Sequence, residues 1–258
     1  MSAFLEHHPR LLPTLLFAAT LAAQGGLLLL LRRHGLPRYG KAPALAVAPE
    51  AALLLLAAIV GASFLLGGIY FDLIALAGVV LAVASLGISP VRYFGLRGPV
   101  SFPAALGLGL MVALAVFFPL QLLASQIEDV FRHFGWPTPP ESAVSLFQNA
   151  RGLGLIRVLF VAALIAPLCE EAFFRGFLHP VLKARFPARP AVALCGTAAL
   201  FAAIHGNWAV LLPLFGFGLV QGLAYEFSGS LLLCVAVHFW FNALGIVALL
   251  AGLGPHAP

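Results

Sequence analysis

Apolar runs of about twenty residues recur along this chain, and each is long enough to cross the hydrocarbon core of a bilayer as a helix. Charged residues make up only 9% of the sequence, whereas a soluble domain has about 25%. No stretch shows the regular alternation of apolar and polar residues that is typical of the strands of an outer-membrane barrel. The pattern therefore predicts an all-α fold, a polytopic bundle of helices integral to a membrane.

Turn signals and charges divide the apolar runs into about eight predicted transmembrane helices. The segment from Ala51 to Ile88 would be nearly twice the membrane thickness as one helix, so we divide it at Gly67-Gly68 and Asp72. The predicted spans are residues 11–31, 51–70, 73–89, 102–124, 153–178, 191–211, 214–225 and 231–250. They form a single membrane domain over residues 1–258, with four spans in residues 1–124.

The basic residues collect mainly in three short loops, which follow the first, third and fifth predicted spans. They are Arg32, Arg33, Arg38 and Lys41, then Arg92 and Arg97, then Lys183, Arg185 and Arg189. Loops after odd-numbered spans share one side of the membrane, and the positive-inside rule makes that side cytoplasmic, with both termini outside. Because most of the basic residues lie in these loops, the net charge of +5 does not indicate a nucleic-acid partner. We expect the chain in the inner (plasma) membrane of a bacterium, with the lipid bilayer around it.

The fifth predicted span contains the sequence PLCEEAFFRGFL, from Pro167 to Leu178. Ionisable groups at membrane depth are costly, so they point to a functional site. On a helix, Glu171 and Arg175 are four residues apart in the favourable order for an ion pair. Glu170 points about 100° away from Glu171 and lies outside this pair, which makes it a candidate general base. The alternative is an ion network that only holds helices together.

Two later segments carry histidines, FAAIH from Phe201 to His205 and HFWFN from His238 to Asn242. Taken alone, His205 could simply form a hydrogen bond with a helix carbonyl. His238 and Asn242 share a helix face, where imidazole and carboxamide could donate hydrogen bonds to an oxyanion or form a polar clamp between helices. With a rise of about 1.5 Å per residue, both histidines can lie at the depth of Glu170.

Three motifs, EExxxR, FxxxH and HxxxN, are present here in this order as EEAFFR, FAAIH and HFWFN. Together they resemble the CAAX protease and bacteriocin-processing (CPBP) family of intramembrane endopeptidases, which includes the type II CAAX prenyl endopeptidases. The resemblance covers about Leu153 to Leu250, so this part is the expected catalytic core, in the C-terminal half. It implies an eight-helix membrane core with a cavity open towards the cytoplasm.

The resemblance also implies roles for the polar residues. Glu170 and His205 would hold and activate a water for attack on a peptide carbonyl. His238 and Asn242 would stabilise the oxyanion, while Glu171 and Arg175 would shape the site. The implied partner is a peptide or protein substrate at the cytoplasmic side, with or without a prenyl group, and the implied mechanism uses no cofactor.

Three other functions are compatible with the same residues. Two histidines and a glutamate can hold catalytic zinc, but the sequence has no HExxH motif, so we favour a metal-free site. A membrane scaffold or immunity protein could use the polar network for binding alone. A transporter could use the buried carboxylate as a proton relay, although the paired repeats typical of transporters are not found here.

Overall fold

The computed structural model describes residues 11–34, 38–45, 69–94, 100–140 and 142–251, together with residues 51, 57 and 58. Within these residues the secondary structure is helical, without strands. The helices are α1 (Leu11–His34), α2 (Ile69–Ser85), α3 (Pro90–Tyr93), α4 (Phe102–His133), α5 (Ser142–Asn149), α6 (Leu153–Arg185), α7 (Pro190–Ala203), α8 (Leu211–Ser228) and α9 (Leu231–Leu250).

The lengths and composition of these helices confirm the all-α, polytopic membrane fold. Five of them, α1, α4, α6, α8 and α9, are long and apolar enough to cross a bilayer, and α2 and α7 contain shorter apolar segments. The second predicted span, residues 51–70, lies almost entirely outside the described residues. The count of about eight spans therefore stays a prediction.

Two helices extend beyond their predicted ends. α6 does not stop at His179-Pro180 but continues to Arg185. Pro180 follows directly on a π-helical turn, Phe174–Leu178, where the regular main-chain ladder is already interrupted, so the proline is tolerated. α4 continues past Ala124 to His133, and therefore takes up part of the polar stretch that follows the fourth predicted span.

The sixth predicted span is too long, because α7 ends at Ala203 and not at residue 211. Gly206 adopts a positive φ of 64°, which favours glycine and turns the chain. The Asn207 side chain then accepts a hydrogen bond from Ala209 N and begins a 3₁₀ turn, after which α8 runs from Leu211 to Ser228. His205 consequently lies just beyond the end of a short helix, and not deep within a long one.

The N-terminal helices pack closely on the C-terminal ones. A Cβ atom at Gly109 of α4 would lie 2.8 Å from the main chain of Ala236 in α9, so glycine permits close contact of the two backbones. Trp240 Nε1 also donates a hydrogen bond to Leu106 O across the same interface. On the other side of α4, Gln24 Nε2 of α1 donates to Ala115 O.

Contacts between loops define the two ends of the bundle. At one end, Lys183 Nζ donates to Ala42 O at 2.6 Å, and Lys41 N donates to Glu226 O at 2.8 Å. The loop after α1 and the last turns of α6 and α8 therefore lie together, and we call this the basic end, because Lys41, Lys183 and Arg185 are among its residues. At the opposite end, Asn207 Nδ2 donates to Pro139 O at 2.9 Å and joins the loops after α7 and α4.

Candidate active site

Helix α6 brings the two glutamates into the bundle between two π-helical turns, Val161–Ile165 and Phe174–Leu178, and Arg175 lies within the second turn. Such turns insert a residue into an α-helix and occur frequently at functional sites. The side chains of Glu171 and Arg175 are fully buried, whereas that of Glu170 is 16% exposed. Glu170 is therefore the more accessible of the two carboxylates.

Glu171 is the acceptor at the centre of the polar network. Its Oε1 atom accepts hydrogen bonds from Arg175 Nη1 at 3.1 Å, Gln221 Nε2 at 2.9 Å and His238 Nδ1 at 2.8 Å. The expected Glu171–Arg175 pair is thus present, and Arg175 Nη2 also donates to Gly218 O. A buried ion pair needs such additional hydrogen bonds to offset its desolvation.

His238 lies between the two glutamates. Since a carboxylate accepts hydrogen bonds, Nδ1 carries the proton of the bond to Glu171 Oε1. On the other side of the ring, Nε2 is 3.9 Å from Glu170 Oε2, which is longer than a hydrogen bond. The imidazole therefore links Glu171 of α6 to helix α9, and its Nε2 atom faces Glu170.

His205 is oriented by its own helix. Its Nδ1 atom donates a hydrogen bond to Phe201 O at 2.8 Å, because a carbonyl oxygen can only accept. In the neutral ring Nε2 is then an acceptor that can bind or take a proton. The Phe201 ring contacts His205 at a centroid distance of 5.0 Å and His238 at 5.9 Å. Phe201 thus connects the two histidines.

Asn242 contacts the first π-helical turn of α6. Its Nδ2 atom donates to Ala162 O at 2.8 Å, which fixes the carboxamide against the segment that precedes the glutamates. An asparagine amide has a second N–H donor for another acceptor. The fold therefore joins Glu170, Glu171, Arg175 and His238 directly, and connects His205 and Asn242 through Phe201 and α6.

Gln221 is a contact of this site that none of the sequence motifs includes. It lies on α8, is fully buried and binds Glu171. The available signal was a single amide in the apolar sequence LVQGLAY, between residues 219 and 225. That signal does not say which neighbouring helix the amide faces, so it could not be assigned to the site.

The donor atoms do not fit the zinc site that two histidines and a glutamate could form. Over the described ranges, no three His, Cys, Asp or Glu side chains are arranged to hold a metal ion. The Nδ1 atoms of His205 and His238 bind Phe201 O and Glu171, so Nε2 of each ring is the atom that a metal would use, and that of His238 faces Glu170. Zinc needs at least three protein ligands converging on one point.

A cavity of about 400 Å³ adjoins His205 at the end of the bundle opposite the basic end. Its lining is largely aromatic and proline side chains: Phe131, Trp136, Pro137, Pro139, Gly206, Asn207 and Trp208. α7 runs from Pro190, near the basic end, to Ala203, a length of about 21 Å. The cavity and the basic loops are therefore on different sides of the site.

Comparisons with known proteins agree with the motifs. Residues 152–244 match the family model described as Type II CAAX prenyl endopeptidase Rce1-like. The chain is also 29% identical over 163 residues to an Escherichia coli protein described as an uncharacterized 24.3 kDa protein. The aligned residues make up 62% of this chain and 70% of that relative. No solved structure gives a significant match. The matched family segment contains all six residues from Glu170 to Asn242 that the motifs indicate.

Proposed function

We propose that this chain is a member of the CAAX protease (CPBP) family, which the match over residues 152–244 supports, and that it hydrolyses peptide bonds within the membrane with a water activated by Glu170. The observation that carries the proposal is the position of His238, with Nδ1 on Glu171 and Nε2 facing Glu170. The hydrogen bonds that Glu171 accepts from Arg175, Gln221 and His238 hold the ring of His238 in this position. Glu170, whose carboxylate is more accessible than that of Glu171, is the proposed general base.

In the proposed reaction, the Glu170 carboxylate takes a proton from water while the water oxygen attacks the peptide carbonyl carbon. The carbonyl becomes a tetrahedral oxyanion. The C–N bond then breaks, the proton held by Glu170 passes to the leaving amine, and the other product is a carboxylic acid. His205 accepts a hydrogen bond from the water at Nε2, which its Nδ1 bond to Phe201 O makes available.

The proposed oxyanion donors are His238 and Asn242. Because His238 Nδ1–H is engaged by Glu171, donation to the oxyanion requires a proton on Nε2 as well. The proposal therefore uses His238 as an imidazolium next to two carboxylates. Asn242 would use the N–H that does not bind Ala162 O. Preorganised donors of this kind typically contribute about 100- to 1,000-fold to the rate.

The proposed substrate is a peptide or protein associated with the membrane, with or without a prenyl group. We propose the orientation that the basic loops predict, with the basic end in the cytoplasm of a bacterial inner membrane and both termini outside. In that orientation the cavity beside His205 opens on the outer side. A cytoplasmic substrate, which the family resemblance implies, would then reach Glu170 from the basic end.

Peptide hydrolysis by the purified protein in detergent tests the proposal, with products identified by mass spectrometry. We expect cleavage by the wild type that a strong chelator does not reduce. Cleavage that is lost with chelator and restored by zinc would instead favour a metalloprotease. No cleavage across a broad set of membrane-associated peptides, by protein that is folded and monodisperse, would count against the protease and favour a scaffold.

A further inference from the structure

Gln221 occupies a position in α8 from which its amide reaches two other helices. Nε2 donates to Glu171 Oε1 of α6 at 2.9 Å and to Cys234 O of α9 at 3.0 Å. The residue is 0% exposed, so water does not compete for these bonds. One side chain thereby ties together the helix that carries the glutamates and the helix that carries His238.

The orientation of this amide follows from its neighbours. Both atoms that face Nε2 are oxygens that only accept, so the NH₂ group and not the carbonyl oxygen must point towards them. A flipped amide would place Oε1 against two acceptors. Gln221 therefore provides Glu171 with a donor whose direction is fixed by the main chain of α9.

We propose that Gln221 is a positioning residue for catalysis, which holds Glu171 Oε1 in the place where it receives Nδ1–H of His238. The inference rests on the proposed function, because it gives Gln221 a role in the same site. The chain of contacts runs from Cys234 O through Gln221 and Glu171 to His238, whose Nε2 faces Glu170. Gln221 itself contacts none of the proposed reacting atoms.

Arg175 does not replace this function of Gln221. Its guanidinium neutralises Glu171 from within the same helix, at a spacing of four residues, and moves with it. Gln221 acts from a different helix and is anchored at Cys234, only four residues before His238 on α9. Loss of Gln221 would therefore leave Glu171 charged and paired, but with its carboxylate released from the direction of His238.

Nitrogen NMR of the histidine side chains, recorded on the whole chain in detergent, measures the hydrogen bond between His238 Nδ1 and Glu171 directly. His238 is assigned by loss of its signal in His238→Gln. We expect a protonated Nδ1 with a strong hydrogen bond in the wild type, and a clear shift of the His238 signal in Gln221→Met. The matched control is Gln24→Met, which removes another interhelical glutamine bond, from α1 to Ala115 O of α4.

Kinetics of peptide cleavage give a second readout. We expect Gln221→Met to lower kcat about 10- to 100-fold, the range typical of residues that support a catalytic group, with KM within about twofold of the wild type. Gln24→Met should retain wild-type kcat. If Gln221→Met does not fold, Gln221→Asn keeps the amide but shortens it by one methylene, so that it cannot span Glu171 and Cys234.

Two results separate this inference from the proposed function. An unchanged His238 signal in a folded Gln221 variant overturns the positioning role, whether or not the wild type cleaves peptides. A shifted His238 signal supports the role of Gln221 in holding Glu171. Absence of cleavage by the wild type counts against the protease proposal alone, because the NMR comparison does not depend on turnover.

Discussion

At the scale of single residues, the buried charge of Glu171 is compensated from three directions. Arg175 donates along α6, Gln221 from α8 and His238 from α9, all to the same oxygen atom. The guanidinium also lies 4.9 Å from the centre of the Phe201 ring, which adds a cation–π contact. Removal of Arg175 would leave the Glu171 carboxylate without its cation, whereas removal of Gln221 would remove one hydrogen bond and leave the ion pair in place.

We expect Arg175→Ala to lower the free energy of unfolding by about 3–5 kcal/mol, because it leaves the buried Glu171 carboxylate without its cation. The measurement is thermal or denaturant unfolding of the purified protein in detergent. Arg132→Ala is the matched control, since Arg132 pairs with Asp129 at 2.6 Å but both side chains are more than half exposed. It should change stability by about 1 kcal/mol or less. Equal stability of the two variants would contradict a structural role for the buried pair.

At the scale of helices, the segment that carries the glutamate pair is a helix with two interruptions. The π-helical turns Val161–Ile165 and Phe174–Leu178 lie on either side of the glutamate pair, and Asn242 donates to a carbonyl of the first. The helical spacing of Glu171 and Arg175 was enough to predict their pairing. Neither the π-helical turns nor the shortened α7 could be predicted, because both depend on contacts with neighbouring helices and not on local composition.

Close packing of α4 on α9 depends on Gly109. We expect Gly109→Ala to lower the free energy of unfolding by about 1–3 kcal/mol, because the new Cβ would lie 2.8 Å from Ala236. This contact would push α9, the helix that carries His238, away from α4. Gly107→Ala is the matched control, two residues away on the same helix.

A Cβ at Gly107 has no neighbouring atom within 4 Å. The control should therefore be neutral or stabilising by up to about 1 kcal/mol, since alanine is the better helix former. The same unfolding assay compares the two variants. A destabilised Gly107→Ala together with a neutral Gly109→Ala would contradict the packing described for this interface.

At the scale of the whole molecule, the N-terminal part is joined to the catalytic part at several points. The segment after α1 is held against α6 and α8 by Lys183 and by the main chain of Glu226, and α4 packs along α9. The sequence motifs predict which residues form the candidate site in the C-terminal part, and that assignment stays a prediction. They could not predict these hydrogen bonds, since Ala42 and Leu106 accept them with main-chain oxygens, which every residue type has.

The orientation of the bundle is tested by labelling single cysteines with a membrane-impermeant maleimide, in a variant that lacks the three native cysteines. Phe134→Cys places a thiol at the end beside the cavity, and Ala188→Cys places one at the basic end. Both positions are exposed. In spheroplasts we expect Phe134→Cys to be labelled and Ala188→Cys to be labelled only after the membrane is permeabilised. The reverse result would place the cavity on the cytoplasmic side and contradict the orientation predicted from charge.

The central claim is that Glu170 is the general base, and hydrolysis of a cleaved peptide by Glu170→Gln tests it most directly. Glutamine keeps the size of the side chain but cannot accept the proton, so kcat should fall about 100- to 10,000-fold while the unfolding midpoint is retained. Glu128→Gln, which changes another buried glutamate on α4, is the matched control and should keep wild-type kcat. Cleavage by Glu170→Gln at the wild-type rate would contradict the account.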